Sequence, residues 1–132
     1  MLPFYSGSSE FAPKAEFSNL TGLFELSGVS RPENVSSFYS QLIDWLKAFE
    51  QDCLHSGVWP VNGIKMNFKL TYCNSSSSKY IYQMLEIILS WKQFGVVPVI
   101  NWYYDESDDK MKDDGQDLAD ALESDFNYLP LN

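Results

Sequence analysis

The stretch "IKMNFKLTYCNSSSSKYIYQMLEIILSW", residues 64–91, constrains the fold more than any other part of the chain. Its first nine residues alternate between apolar and polar side chains, which is typical of a half-buried β-strand. Its second half has apolar residues at helical spacing, namely Ile81, Met84, Leu85, Ile88 and Trp91. Four consecutive serines, residues 75–78, stand directly between the two elements. The run therefore begins a helix instead of forming a flexible linker, and the chain is predicted to be an α/β protein.

The segments before this stretch predict a hairpin and a first helix. "AEFSNLTGLFELSG" contains two short apolar runs around a turn at residues 19–22, which indicates a β-hairpin. Ser30 is the predicted N-cap of the first helix, with Pro32 in its first turn and Glu33 completing a capping box. The predicted buried face of this helix consists of Phe38, Leu42, Trp45, Phe49 and Cys53.

The segments after it predict a buried strand in "VVPVINWYY", a third helix after Gly115, and a short last strand in "FNYLP". Residues 1–13 are rich in proline, glycine and serine and are predicted to form an N-terminal arm. Residues 14–132 are predicted to form one α/β domain. We expect a mixed β-sheet of about four to five strands with three helices packed on it.

The charge of the chain limits its partners. The net charge is −9, and residues 105–125 hold ten acidic side chains against two lysines. An acidic surface repels nucleic acid and anionic lipid, so neither is expected as a partner. The amino-terminal residues lack the pattern of a signal peptide, and no apolar run has the roughly 20 residues of a membrane span, so a cytoplasmic location is expected.

Catalytic and metal-binding patterns are weak. A serine hydrolase needs a base near its nucleophile, but His55 is the single histidine and no G-x-S-x-G motif is present. A calcium loop counted from Asp105 has Lys110 and Gln116 where glycine and glutamate are required. The chain is therefore predicted to be a non-enzymatic protein without a cofactor or a metal site.

The serine run itself has two interpretations. One hydroxyl could simply cap the helix while the others tolerate a turn. Alternatively, the positive end of the helix dipole and Lys79 could accommodate a phosphate on one of the serines. Phosphorylation adds about −1.5 to −2 charge units at neutral pH. The residues alone leave both interpretations open.

Three stretches, "GVSRPENVSSFYSQLIDWL", "FKLTYCNSSSSKYIYQML" and "VINWYYDESDDKMKDDGQDLADAL", resemble the SiaC family of bacterial regulatory phosphoproteins. Members carry a Pro-Glu-Asn segment before the first long helix, a Tyr-x-Asn-Thr-Ser-Ser-x-Lys junction, and a Trp-x-Tyr strand that runs into an acidic stretch. The resemblance implies that Ser75 occupies the position of the phosphorylated threonine, with Ser76 and Ser77 as alternative acceptors. It further implies that Asn74 shapes the turn and that Lys79 supports the phosphate. It gives a possible partner surface consisting of Pro32, Glu33, Asn34, Asp105, Asp108 and Asp109.

The resemblance also implies a function. A serine/threonine kinase phosphorylates family members, a PP2C-type phosphatase reverses the modification, and the unphosphorylated form binds and activates a diguanylate cyclase, which links the protein to cyclic di-GMP and biofilm formation. The position of the acceptor is similar to that in the anti-sigma-factor antagonists, whose STAS-like layering we also expect here. A transcriptional partner switch of that kind, and a small acidic binding domain without a phospho-switch, remain the alternatives.

Overall fold

The computed structural model describes residues 1–131 and contains six strands and three α-helices in those residues. In chain order the elements are β1 (Phe4–Ser6), β2 (Lys14–Phe17), β3 (Leu23–Ser30), α1 (Val35–Ser56), β4 (Lys65–Cys73), α2 (Ser75–Ser90), β5 (Val99–Tyr104), α3 (Asp109–Ala121) and β6 (Asn127–Pro130). A short 3₁₀ turn, Trp91–Phe94, follows α2. The prediction of one mixed sheet with three helices is confirmed.

The strands form one sheet in the order β1-β2-β3-β4-β5-β6. The pairs β1–β2 and β2–β3 are antiparallel, whereas β3, β4, β5 and β6 run parallel to one another. Each parallel connection contains one helix, because parallel neighbours need a long crossover. The ends of β3, β4 and β5, and therefore the starts of α1, α2 and α3, lie at one edge of the sheet.

The hydrophobic core lies between one face of the sheet and the helices. Phe24 of β3 contacts Phe49 of α1 edge to face, with ring centroids 5.4 Å apart. Two residues along, Leu26 is in register with Phe68 and Trp102, and the Trp102 indole donates to the Met111 carbonyl of α3 at 2.8 Å. Because residues two apart on a strand share a face, α1 and α3 cover the same side of the sheet. The α2 helix packs beside α1 and buries four of its predicted apolar residues, and the fifth, Trp91, is buried in the 3₁₀ turn that follows.

The opposite face carries a row of polar side chains in register across four strands. The Asn127 amide donates to the Asn101 side-chain oxygen at 3.0 Å, and the Asn101 amide donates to that of Asn67 at 2.8 Å. The Asn67 amide in turn donates to the Glu25 carboxylate at 3.4 Å. Asn67 and Asn101 are each only 7% exposed. Buried amides need hydrogen-bond partners. This polar row, on the face of the sheet that carries no helices, therefore helps to fix the register of the strands.

Two predictions about strands and helix starts are corrected. The strand count of four to five is too low, because Phe4–Ser6 of the predicted arm pairs with β2 as an edge strand. Ser30 is not the N-cap of α1. It ends β3 in register with Cys73, and Asn34 caps the helix instead.

The prediction that the third helix begins after Gly115 is wrong, because the helix begins at Asp109. Asp108 caps it, and Gly115 lies inside it against the Trp102 ring, where an added Cβ would stand 2.5 Å from the nearest ring atom. The glycine is therefore explained by close packing between α3 and β5, and not by a helix boundary.

Candidate functional site

Three helix N-termini meet at one edge of the sheet, and each has the same kind of cap. The side chains of Asn34, Asn74 and Asp108 accept hydrogen bonds from the backbone N–H three residues later, at 3.0, 2.9 and 3.0 Å. Such caps satisfy N–H groups that have no partner inside the helix. This edge, which we call the N-terminal edge, is defined by these three caps.

The four serines of the run have four different environments. Ser75 is exposed, and none of the hydrogen bonds among residues 1–131 involves its hydroxyl. Ser76 is also exposed, and its hydroxyl donates to the Asn74 side chain at 3.1 Å. Ser77 is fully buried, whereas the half-buried Ser78 donates to the Asn74 carbonyl at 3.4 Å. Of the predicted acceptors, Ser75 alone combines exposure with an unengaged hydroxyl.

Ser77 anchors the start of α2 to β3 and α1. Its hydroxyl donates to the Ser30 carbonyl at 3.2 Å and accepts from the Ser30 hydroxyl at 2.9 Å. The Ser30 hydroxyl also lies 2.5 Å from the Tyr39 hydroxyl. Burial is the main reason why the pKa of Tyr39 is raised above its ordinary value. This buried hydroxyl cluster, Ser30, Tyr39 and Ser77, makes Ser77 inaccessible to a kinase in this conformation.

Cys73 lies directly beneath the turn. It is 4% exposed, and its sulfur is 3.5 Å from the Ser78 hydroxyl. Burial raises the pKa of this thiol above its ordinary value. A buried, protonated thiol is a poor nucleophile, so Cys73 serves the packing of this junction.

A cleft of about 410 Å³ separates the first turn of α2 from the start of α3. Ser75, Asn74 and Ser78 line it on one side, and Lys110 and Asp114 on the other. The Lys110 ammonium is 2.8 Å from the Asp114 carboxylate, and this hydrogen bond raises the pKa of Lys110 above its ordinary value. The exposed Ser75 therefore lines the same cleft as a cation that belongs to another helix.

A profile of the SiaC family of regulatory phosphoproteins matches residues 7–131. The chain belongs to the SiaC family. An uncharacterized protein of Pseudomonas aeruginosa is 27% identical over 107 residues, which are 81% of this chain and 76% of that protein. The resemblance inferred from the three motifs is thus confirmed.

Solved structures of the SiaC family share the fold. A chain in the crystal structure of the diguanylate cyclase SiaD in complex with its activator SiaC, from P. aeruginosa, matches with a TM-score of 0.80 and 20% identity over 96% of this chain and 97% of that chain. Apo-SiaC from the same species matches over the whole of both chains with a TM-score of 0.74 and 22% identity.

The residues that the SiaC resemblance singled out all lie at or near the N-terminal edge. Pro32, Glu33 and Asn34 connect β3 to α1, where Asn34 is the cap and Pro32 is half-buried. Lys79 is exposed on α2, one helical turn after Ser75, and makes no ion pair within residues 1–131.

The acidic residues have distinct local roles. Asp105 accepts from the Ser107 hydroxyl at 2.6 Å and from its backbone N–H at 2.9 Å, and these bonds hold the pKa of Asp105 below its ordinary value. Asp108 caps α3, and Asp109 is exposed in its first turn. Among residues 1–131, no group of three His, Cys, Asp or Glu side chains is placed to hold a metal ion. In the same residues, no helix has the length and apolar character to cross a bilayer.

Three residues of this region, Arg31, Tyr39 and Lys110, had no role predicted from the sequence, and Ser30 was predicted to cap a helix instead of joining the hydroxyl cluster. Arg31 lies over the rings of Phe11 and Tyr72, at 5.4 and 5.8 Å from their centroids, and so attaches the N-terminal segment to this edge. The parallel pairing of β3 with β4 places Ser30 beside Cys73 and therefore close to the start of α2. A correct prediction of this pairing would have indicated the hydroxyl cluster. No local pattern marks Lys110, because Ser75, which lines the same cleft, lies on a different element.

Proposed function

We propose that this chain is a non-enzymatic signalling protein that binds and regulates a diguanylate cyclase when Ser75 is unphosphorylated. A serine/threonine kinase modifies Ser75 and a PP2C-type phosphatase removes the phosphate. Membership of the SiaC family supports a regulatory phosphoprotein. The shared fold with a structure in which SiaC is the activator of the cyclase SiaD supports a cyclase as the partner. The kinase and the diguanylate cyclase both use nucleotide substrates from the cytoplasm. The proposal therefore places the protein in the cytoplasm.

The exposed Ser75 hydroxyl in the first turn of α2 is the observation that carries the proposal. A kinase needs a free hydroxyl that its active site can reach. Asn74 caps the helix through its side chain and Ser77 anchors it through the buried cluster, so neither contact requires the Ser75 hydroxyl. Ser75 can therefore gain a phosphate while the turn keeps its hydrogen bonds.

The electrostatics of the site favour a modification that alters the surface. A helix N-terminus carries about half a positive charge, which stabilises an added anion. The phosphate of about −1.5 to −2 charge units would stand at the edge where all three helices begin. A partner that binds this edge meets a different charge and shape after phosphorylation. The single histidine, His55, lies in the last turn of α1, at the opposite end of that helix.

Incubation with the cognate kinase and ATP, followed by intact mass measurement and peptide mapping, tests the acceptor. We expect one phosphate on the wild-type chain, none on Ser75→Ala, and one on the matched control Ser76→Ala. Phosphorylation of Ser75→Ala to the wild-type level would show that the acceptor is wrong.

Calorimetry with the diguanylate cyclase encoded in the same genome tests the partner. The unphosphorylated chain should bind and raise the rate of cyclic di-GMP synthesis, and the phosphorylated chain should bind about 5- to 150-fold more weakly, which corresponds to a coupling of about 1–3 kcal/mol. Equal binding by both forms would remove the switch from the proposal.

A further inference from the structure

The geometry points to Lys110, and not Lys79, as the counter-ion of phosphorylated Ser75, so that the phosphate bridges α2 to α3; this rests on the function proposed above. Ser75 and Lys110 line opposite sides of one cleft. Within the part of the chain that the structure describes, Lys110 is the single cationic side chain that lines this cleft.

The present partner of Lys110 is easily exchanged. Its side chain is 74% exposed and forms an i,i+4 ion pair with Asp114 on the surface of α3. Exposed ion pairs of this kind contribute little to stability, because water and salt screen them. The long, flexible lysine side chain can turn toward the cleft, where a phosphate dianion offers more charge and three acceptor oxygens. The phosphate should therefore displace Asp114 as the principal partner of Lys110.

Lys79 is the competing counter-ion. It lies four residues after Ser75 on α2, which is the spacing of neighbours on a helix surface. It does not line the cleft, however, and a phosphate paired with it would leave α3 unchanged. A phosphate in the cleft also stands close to the Asp114 carboxylate, and Lys110 is placed to compensate that repulsion.

This exchange extends the effect of phosphorylation beyond α2. Lys110 lies in the first turn of α3, next to Asp108 and Asp109 of the possible partner surface. Once the phosphate holds Lys110, Asp114 loses its cation, and the start of α3 is connected to the start of α2. A partner that contacts α3 is then sensitive to phosphorylation without touching Ser75.

The test uses the full chain with phosphoserine installed at position 75 during translation, and measures the second pKa of the phosphate by ³¹P NMR. A nearby cation stabilises the dianion, so Lys110→Met should raise this pKa by about half a unit or more. The matched control Lys79→Met should change it by clearly less. Lys110→Arg should retain the low pKa, and Asp114→Asn should lower it further because it removes a competing carboxylate.

A larger pKa change for Lys79→Met than for Lys110→Met would overturn the assignment, as would no change for either. Circular dichroism of the variants, whose substituted side chains are exposed or half-buried, confirms that each chain is folded. Because the phosphoserine is installed without a kinase, the two proposals can fail separately. If the kinase ignores Ser75, the proposed function fails while the pKa comparison still reports on Lys110.

Discussion

The replacement Ser77→Ala separates the serine that holds the fold from the serine proposed to carry the phosphate. Ser77 is fully buried and makes two side-chain hydrogen bonds to Ser30. A buried hydrogen bond contributes about 0.5–1.5 kcal/mol, and a partner left without one costs about 1–3 kcal/mol. In the variant, the Ser30 carbonyl would still accept the hydrogen bond from the Asn74 N–H, which is 3.1 Å long in the wild-type chain. The Ser30 hydroxyl would keep its hydrogen bond with the Tyr39 hydroxyl.

These remaining contacts limit the loss. The better helix propensity of alanine returns up to about 0.5 kcal/mol. We therefore expect Ser77→Ala to lower the free energy of unfolding by about 1–2 kcal/mol. Ser75→Ala removes an exposed hydroxyl without a partner, and surface changes of this kind stay within about ±0.5 kcal/mol.

Urea denaturation at neutral pH, followed by tryptophan fluorescence, measures both changes. A chain of this size is expected to unfold in one transition, and an unchanged m-value shows that the comparison is valid. In the kinase assay Ser75→Ala should be the more affected variant. Folded Ser77→Ala should still accept one phosphate, and Ser75→Ala should accept none. Ser77→Ala with wild-type stability, or Ser75→Ala with an equal loss, would refute the division of roles between the two serines.

Three other replacements test the surroundings of the site. Gly115→Ala places a Cβ 2.5 Å from the Trp102 ring, so overpacking of about 1–3 kcal/mol should outweigh the gain of about 1 kcal/mol in helix propensity and lower the thermal midpoint. Asn74→Ala removes the cap of α2 and should cost about 0.5–2 kcal/mol, with faster amide exchange in the first turn of the helix. Wild-type stability should fall above about pH 10, because Tyr39 stays protonated in the folded chain while the unfolded chain releases the proton. Tyr39→Phe should reduce that fall by up to about 1.4 kcal/mol per pH unit in urea titrations, and identical pH slopes for both chains would contradict the raised pKa.

The secondary structure was largely predictable from periodicity, and the errors occurred where a distant contact decides. The Ser30–Glu33 spacing satisfies a capping box on its own, but pairing with Cys73 extends β3 through Ser30 and leaves the cap to Asn34. Likewise, Gly115 was predicted to mark a helix boundary because glycine usually interrupts helices. Its actual role depends on close packing against Trp102, which lies on another element.

The candidate site was predictable to the level of the serine run, and part of the finer distinction was also present in the sequence. Counting four residues back from Ile81 along the buried stripe of α2 reaches Ser77, so the helix phase alone already assigns Ser77 to the core side. The same phase leaves Ser75 outside. Neither the partner of Ser77 nor the cleft beside Ser75 follows from the helix phase, because both depend on how β3 and α3 pack against the start of α2.

The helix phase also explains why the proposed phosphate at Ser75 would act on the surface more than on the fold. The inward serine, Ser77, and the Asn74 cap fix the first turn of α2, and neither contact uses the outward hydroxyl of Ser75. The dipole of α2 then favours the added charge instead of opposing it. The proposed phosphate would stand at an edge that α1, α2 and α3 share, since the parallel strands direct all three helix starts to the same end of the sheet. The proposed phosphate on a single residue would therefore change a surface built from three separate segments of the chain, which is the property that a phosphorylation-dependent binding protein requires.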